Sequence, residues 1–294
     1  MGAARRRPLS QRRLRKRFPQ PANPSPMPNP SQPGSNAGEE SAGRMSFFEH
    51  LAELRTRLIH AAVAIVIGAF VGFWVARPVL EFVAKPMRAA LRSAHLEDKL
   101  IYLHPAGYLN LVLTTGLYLG VVLASPYVLY QVWLFVAPGL YKNERKAVAA
   151  FIIPTVSLFF GGIVFAYYVI LPYLLKFLVT FQGNGSFTPM IDIEEYTDML
   201  LIVLVGVGAV FELPIIMFVL TLFNIVTPQF LWKNFRYALV IITIAAAIIT
   251  PTPDATTMLV FMAPMILLYL VGVGVSWLVV RRKRRAELAK QGAS

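Results

Sequence analysis

Six apolar stretches divide the chain, at about residues 57–76, 108–137, 147–177, 197–223, 237–250 and 256–280. A hydrocarbon core of about 30 Å takes roughly 20 helical residues to cross, and the first four stretches and the last meet that length. The fifth, Tyr237–Thr250, does not: at 1.5 Å per residue it covers about 21 Å. "PTPD" follows it at once, which stops one helix and caps the next with Asp254. Either a re-entrant hairpin or a short span that thins the bilayer around it fits this segment. The short span is preferred, because six spans put both basic ends of the chain on the same side, assigned to the cytoplasm. The pattern thus predicts an all-α polytopic membrane protein of six transmembrane helices of unequal length, with N and C termini cytoplasmic.

Composition agrees. Of the 294 residues 56% are hydrophobic and 15% charged, against about 45–50% apolar and about 25% charged in ordinary soluble domains. Cysteine is absent, which excludes disulfides, thiolate metal sites and a cysteine nucleophile. The net charge of +13 collects in residues 5–17 and 281–285. Both clusters flank apolar spans, so they read as cytoplasmic anchors, and no nucleic-acid partner is expected.

The chain divides into three regions. Residues 1–44, rich in Arg, Pro, Ser and Asn without a hydrophobic period, are predicted to be a disordered basic tail. No apolar segment directly follows the arginines, which argues against a secretory signal peptide; an organelle transit peptide, or translation from Met45, are alternatives. Residues 45–280 form the six-helix domain, opened by a capping box of Ser46 and Glu49. Residues 281–294 form a basic cytoplasmic C-terminal tail. Lys142, Arg145, Lys146, Lys233 and Arg236 fall in loops assigned inside, and Asp192, Glu194, Glu195 and Asp198 in a loop assigned outside. The 77–107 connection, with Arg77, Lys85, Arg88, Arg92 and Lys99, is the exception to that bias. Pro126, Pro154, Pro172, Pro214 and Pro264 punctuate the spans; bent helices predict a curved wall with an open face.

Enzyme signatures are missing: there is no GxxxxGK[ST], HExxH or GxSxG, and His50, His60, His95 and His104 lack ligand spacing. No catalytic residue, cofactor or metal is expected. Three acidic places remain. In "HLAELRTRL", residues 50–58, Leu51, Leu54 and Leu58 share a helix face while Glu53 and Arg57 form an i,i+4 pair; an ordinary lead-in helix would account for both. In "APGLYKNERKAV", residues 137–148, Asn143 can cap the third span and Glu144 sits in its first turn. Either glutamate could also offer a carboxylate to a cationic ligand, for which arginine is the matching fork. Glu212, in "VGAVFELPIIMFVLTLF", is the only acid deep within a span, roughly 20 Å in by helical rise. A proton relay, a polar anchor in a wet groove and a structural hydrogen bond are all open readings.

"HLAELRTRL", "LYQVWLFVAPGLYKNERK" at 129–146, "FELP" at 211–214 and "TPTPD" at 250–254 resemble, in order, the TatC family, the multispan receptor subunit of the twin-arginine protein translocase. The resemblance implies a glove-like six-helix fold in the inner (plasma) membrane of a bacterium, in preference to an organelle membrane. It implies binding of twin-arginine signal peptides of folded precursor proteins at the cytoplasmic face, and export driven by the protonmotive force. The matching recognition glutamates are Glu53 and Glu144, with Leu54, Arg55 and Phe135 in the same patch; Arg57, beside Glu53, completes the predicted signal-peptide-binding set. Glu212 matches an intramembrane glutamate in the hollow of the glove, and Asp254 a periplasmic turn. Implied partners are single-span TatA- and TatB-type subunits, other copies of the chain and membrane lipids. One departure is Met258, where family members commonly carry Gln. The rival reading is a proton-coupled small-solute transporter with Glu212 as relay, though the two halves lack the internal repeat such proteins commonly show.

Overall fold

The structure is a computed structural model describing residues 36–136, 145–181, 190–250, 252 and 254–291, with the backbone alone at 36–50, 136, 145–150, 286–287 and 290. The chain falls into two units, Met1–Glu49 and His50–Ser294. Among the described residues the first unit carries the opening turns of helix α1, and the second carries every other element.

Helix α1 (Asn36–Ser93) is longer at both ends than its apolar stretch. It begins ahead of Ser46, within the predicted tail, where Ala37, Glu39, Glu40 and Ala42 favour helix and no proline follows until Pro78. At its other end it runs through most of the predicted 77–107 loop. The reason is a buried stripe, Ala76, Leu80, Val83, Met87 and Leu91, at helical spacing. Arg77, Lys85, Arg88 and Arg92 therefore stand on the exposed face of a helix, and only Lys99 of that group lies in the connection.

Helix α2 (Gly107–Val136) forms the second span, and α3 (Arg145–Phe165) with α4 (Leu171–Thr180) the third. A π-turn, Ala166–Ile170, joins the latter pair. There the ladder shifts to i→i+5, with Leu171 N donating to Ala166 O, just where Pro172 removes an amide donor. Helices α5 (Ile193–Val210) and α6 (Leu213–Leu222) make the fourth span, interrupted at Phe211–Glu212. A short α7 (Pro228–Lys233) leads into α8 (Phe235–Ile249), fifteen residues long, and α9 (Ala255–Gln291) closes the chain. Two-residue strands β1 (Leu100–Ile101) and β2 (Ile191–Asp192) pair in parallel, Leu100 opposite Ile191, tying together the connections before α2 and α5. Among the described residues five helical runs are long and apolar enough to cross a membrane, and α8 is the shorter apolar helix. That is the all-α architecture of unequal spans.

The core lies where the second half of α1 meets α4, α5 and α9, around Leu91, Leu171, Leu175, Leu200, Val203 and Phe261. Two tyrosines bind it to α1: Tyr196 donates to Val83 O at 2.8 Å and Tyr167 to Phe82 O at 2.9 Å. The second bond has a cause in sequence. Phe82 O would take its helical bond from residue 86, and Pro86 has no N–H. Likewise Val122 O, which Pro126 cannot serve, accepts from Ser125 Oγ at 2.7 Å. At the other end of the bundle Lys283, within the predicted C-terminal tail, continues α9 and donates to Leu222 O at 2.7 Å and Asn224 Oδ1 at 3.2 Å, closing the end of α6.

Helices α1 and α2 cross on glycines. Gly68 and Gly72 face Gly120 and Gly116, so close that a Cβ built on Gly68 would stand 2.6 Å from Gly120 O. This small-xxx-small spacing on both helices lets their backbones touch.

Gly120→Val should separate the two helices and destabilise the protein by about 1–3 kcal/mol, read as a lower midpoint of thermal unfolding in detergent. Gly161→Ala, whose new Cβ meets nothing within 4 Å, should leave it unchanged or slightly raised. Tyr167→Phe should cost about 1–2 kcal/mol by stranding Phe82 O, whereas Tyr168→Phe, at a position 65% exposed, should cost nothing measurable in the same assay.

Candidate functional site

The i,i+4 spacing of Glu53 and Arg57 becomes an ion pair: Arg57 Nη2 donates to Glu53 Oε1 at 3.1 Å. The other end of the guanidinium reaches across to α2, Nη1 donating to Gln131 Oε1 at 3.2 Å. This contact follows from the glycine crossing. Arg57 lies eleven residues before Gly68 and Gln131 eleven after Gly120, about three turns along each of two antiparallel helices. Gln131 is buried, 4% exposed, while Glu53 and Arg57 keep about a third of their side chains open, 31% and 29%. Leu54 and Arg55 are exposed beside them.

The α2 end is fixed from its far side. Trp133 donates to Thr155 Oγ1 at 2.9 Å and stacks on Phe151, 5.3 Å between centroids, which in turn touches Phe218 of α6. Phe135, one turn beyond Gln131, is half-buried. The fold thus brings Glu53, Leu54, Arg55 and Arg57 to the same end of the α1–α2 pair as Phe135. Glu144 lies outside the described residues. Gln131 was missed in reading the sequence, where it is only a lone amide in the apolar run "LYQVWLF"; its burial and its partner belong to the fold.

An apolar groove of about 460 Å³ runs between α1 and α2 from this patch towards the glycine crossing. His60 stands at its end nearest Arg57, and Val63, Ile67, Val71, Leu123 and Tyr127 line it. The α1 side continues the face that carries Glu53 and Arg57, at steps of three and four residues.

Glu212 sits at the interruption between α5 and α6, 8% exposed. Its carbonyl accepts from Ile215 N and Ile216 N at 3.0 and 2.9 Å, so its backbone starts α6 while its side chain makes no cap bond. Oε1 is buried without a partner among the described residues. Asp254 is the opposite case. Its carboxylate takes the Thr257 amide at 2.8 Å and the hydroxyls of Thr252 and Thr257 at 2.6 and 2.7 Å. These bonds, the Thr252 hydroxyl foremost, hold its carboxyl down to about 2, and they cap α9. Met258 is half-buried and packs against the core. Among the described residues no group of three or more His, Asp or Glu could hold a metal ion.

Residues 49–264 match the family described as "TatC: Sec-independent protein translocase protein (TatC)". The chain is 47% identical over 273 residues to the "Sec-independent protein translocase protein TatC" of Koribacter versatilis (strain Ellin345), covering 90% of this chain and 100% of that one. It is 33% identical to the "Sec-independent protein translocase protein TatCy" of Bacillus subtilis (strain 168), covering 85% and 96%. A solved structure titled "Crystal Structure of Twin Arginine Translocase Receptor- TatC" superposes with a TM-score of 0.70 at 34% identity, covering 79% of this chain and 99% of that chain. The relatives and the solved structure are all named as translocase components. The chain belongs to the TatC family of Sec-independent protein translocase proteins and is a multi-pass membrane protein of that translocation system.

Proposed function

We propose that the chain is the receptor core of a twin-arginine translocase, binding the signal peptides of folded precursor proteins at its cytoplasmic face. The observation that carries this is the Glu53 carboxylate, part-exposed and oriented by Arg57 at the head of an apolar groove. A ligand with paired arginines followed by an apolar segment matches that order of chemistry. Glu53 and Glu144 face the two guanidiniums, Leu54, Arg55 and Phe135 border them, and the groove wall takes the apolar segment. Arginine is required because its planar fork pairs with a carboxylate through two parallel bonds, where lysine offers only a point charge. Both termini are cytoplasmic, the membrane is the bacterial inner membrane, and the energy source is the protonmotive force. Single-span TatA- and TatB-type subunits, further copies of the chain and membrane lipids are its partners. Glu212 serves translocation or subunit docking as a polar feature of the membrane interior, in keeping with its buried, unpaired oxygen.

Equilibrium binding of labelled Arg-Arg and Lys-Lys signal peptides to the detergent-solubilised chain tests the proposal. The wild type should prefer Arg-Arg by roughly ten-fold or more, and Glu53→Ala/Glu144→Ala should lose that preference; Glu53→Lys or Glu144→Lys should abolish binding. Equal binding of both peptides by both proteins would overturn it. Glu212→Gln should bind Arg-Arg peptide as the wild type does and slow transport in inverted membrane vesicles. A variant that no longer inserts would show Glu212 to be purely structural.

A further inference from the structure

A ligand arginine must share Glu53 with Arg57, which already occupies one of its oxygens. Glutamate and arginine four residues apart on a helix can close fork to fork, taking both carboxylate oxygens. Here they do not. Nη2 alone reaches Glu53, at Oε1; Nη1 is turned towards Gln131 on the neighbouring helix. The price of that orientation is visible in Nε, buried with no partner among the described residues. An unpaired buried donor is costly, so something must hold the guanidinium there, and Gln131 Oε1 is the group that does. Gln131 has its own reason to hold on. At 4% exposure the residue is largely shielded from water, and a polar group so placed is retained where it is bonded, as Oε1 is by Arg57. Its distance from the glycine crossing sets it opposite Arg57, with little freedom to retreat.

We infer that Gln131 is a positioning residue of the receptor site: by holding Arg57 half off Glu53 it keeps Glu53 Oε2 open for an arginine of the ligand. The inference rests on the reading of Glu53 as the carboxylate that meets the signal peptide. Without Gln131, Arg57 closes on Glu53 fork to fork, Nη2 together with Nη1 or Nε, and becomes an intramolecular substitute for the ligand. The bond to Gln131 also gives Arg57 a place to go when the peptide arrives, since the Nη1 contact survives the loss of the Nη2 contact.

The test uses the purified full chain and a labelled Arg-Arg signal peptide, with Gln131→Leu, Arg57→Gln, the double variant and Glu53→Ala measured side by side. Gln131→Leu keeps the side-chain volume, removes the acceptor, and should weaken binding roughly ten-fold. Adding Arg57→Gln should restore most of that loss, because the competitor for Glu53 is gone; a merely structural role for Gln131 would show no such rescue. The readout is the coupling: Gln131→Leu should weaken binding where Arg57 is present and change it little where Arg57→Gln has removed the competitor, and Gln131→Glu, which retains the acceptor, should bind more tightly than Gln131→Leu. Unchanged binding by Gln131→Leu, or a loss that Arg57→Gln does not repair, would overturn the inference while Glu53→Ala still loses the peptide. Should Gln131→Leu fail to fold, Gln131→Met, which likewise removes the acceptor, takes its place, and equal binding by Gln131→Met and Gln131→Glu would overturn the inference. Wild-type binding by Glu53→Ala would instead remove the receptor reading on which the inference stands.

Discussion

In hydrocarbon a backbone N–H or C=O that finds no partner within the protein finds none at all, and this chain breaks its own helical ladders repeatedly with proline. The structure answers three of these breaks with specific devices. Tyr167 serves the carbonyl that Pro86 strands, Ser125 the one that Pro126 strands, and a π-turn carries the chain past Pro172. Lys283 closes the last turn of α6, and Asp254 the first turn of α9. Two of these repairs, those of Tyr167 and Lys283, join elements distant in sequence. The Tyr167 bond fastens the third span to the extension of the first, beside the Tyr196 bond from the fourth. Where a side chain supplies the donor that a proline removes, as Tyr167 and Ser125 do, a kinked helix and a stable bundle are compatible.

The candidate site depends on a second constraint, the close approach of α1 and α2. Glycines at the crossing leave no room for the helices to rotate or slide, so the register set at Gly68 and Gly120 persists three turns away at Arg57 and Gln131. A carboxylate that must receive a guanidinium needs its own geometry settled beforehand, and settling it on a rigid helix pair is more precise than settling it on a loop. The stacked Trp133 and Phe151 hold the α2 end from the other side. Packing in the middle of the span thereby orients charge at its end.

Reading residues in order located much of this. The apolar runs marked the spans, including the short one now seen as Phe235–Ile249, and the acids at 53 and 212 stood out against their surroundings. The length of α1 was misjudged, because the basic residues between 77 and 92 suggest a loop when they occupy the exposed face of a helix with a buried stripe behind it. Gln131 escaped notice because a single amide in "LYQVWLF" looks unremarkable until its partner, 74 residues earlier, is known. Tyr167 and Ser125 were equally silent: their meaning depends on a proline whose orphaned carbonyl lies within reach.

What the sequence by itself determined is whatever depends on local transfer and local periodicity. That covers the membrane class, the all-α architecture, the unequal spans and the motifs that mark the family. Only the tertiary structure decided which side chains serve which orphaned carbonyls, how far the first helix runs, and that Arg57 divides its donors between Glu53 and Gln131. The physical reason is the range of the forces. Burial of apolar side chains is read residue by residue along the chain, whereas a hydrogen bond requires two groups within about 3 Å, and only the folded packing of the helices determines which groups those are.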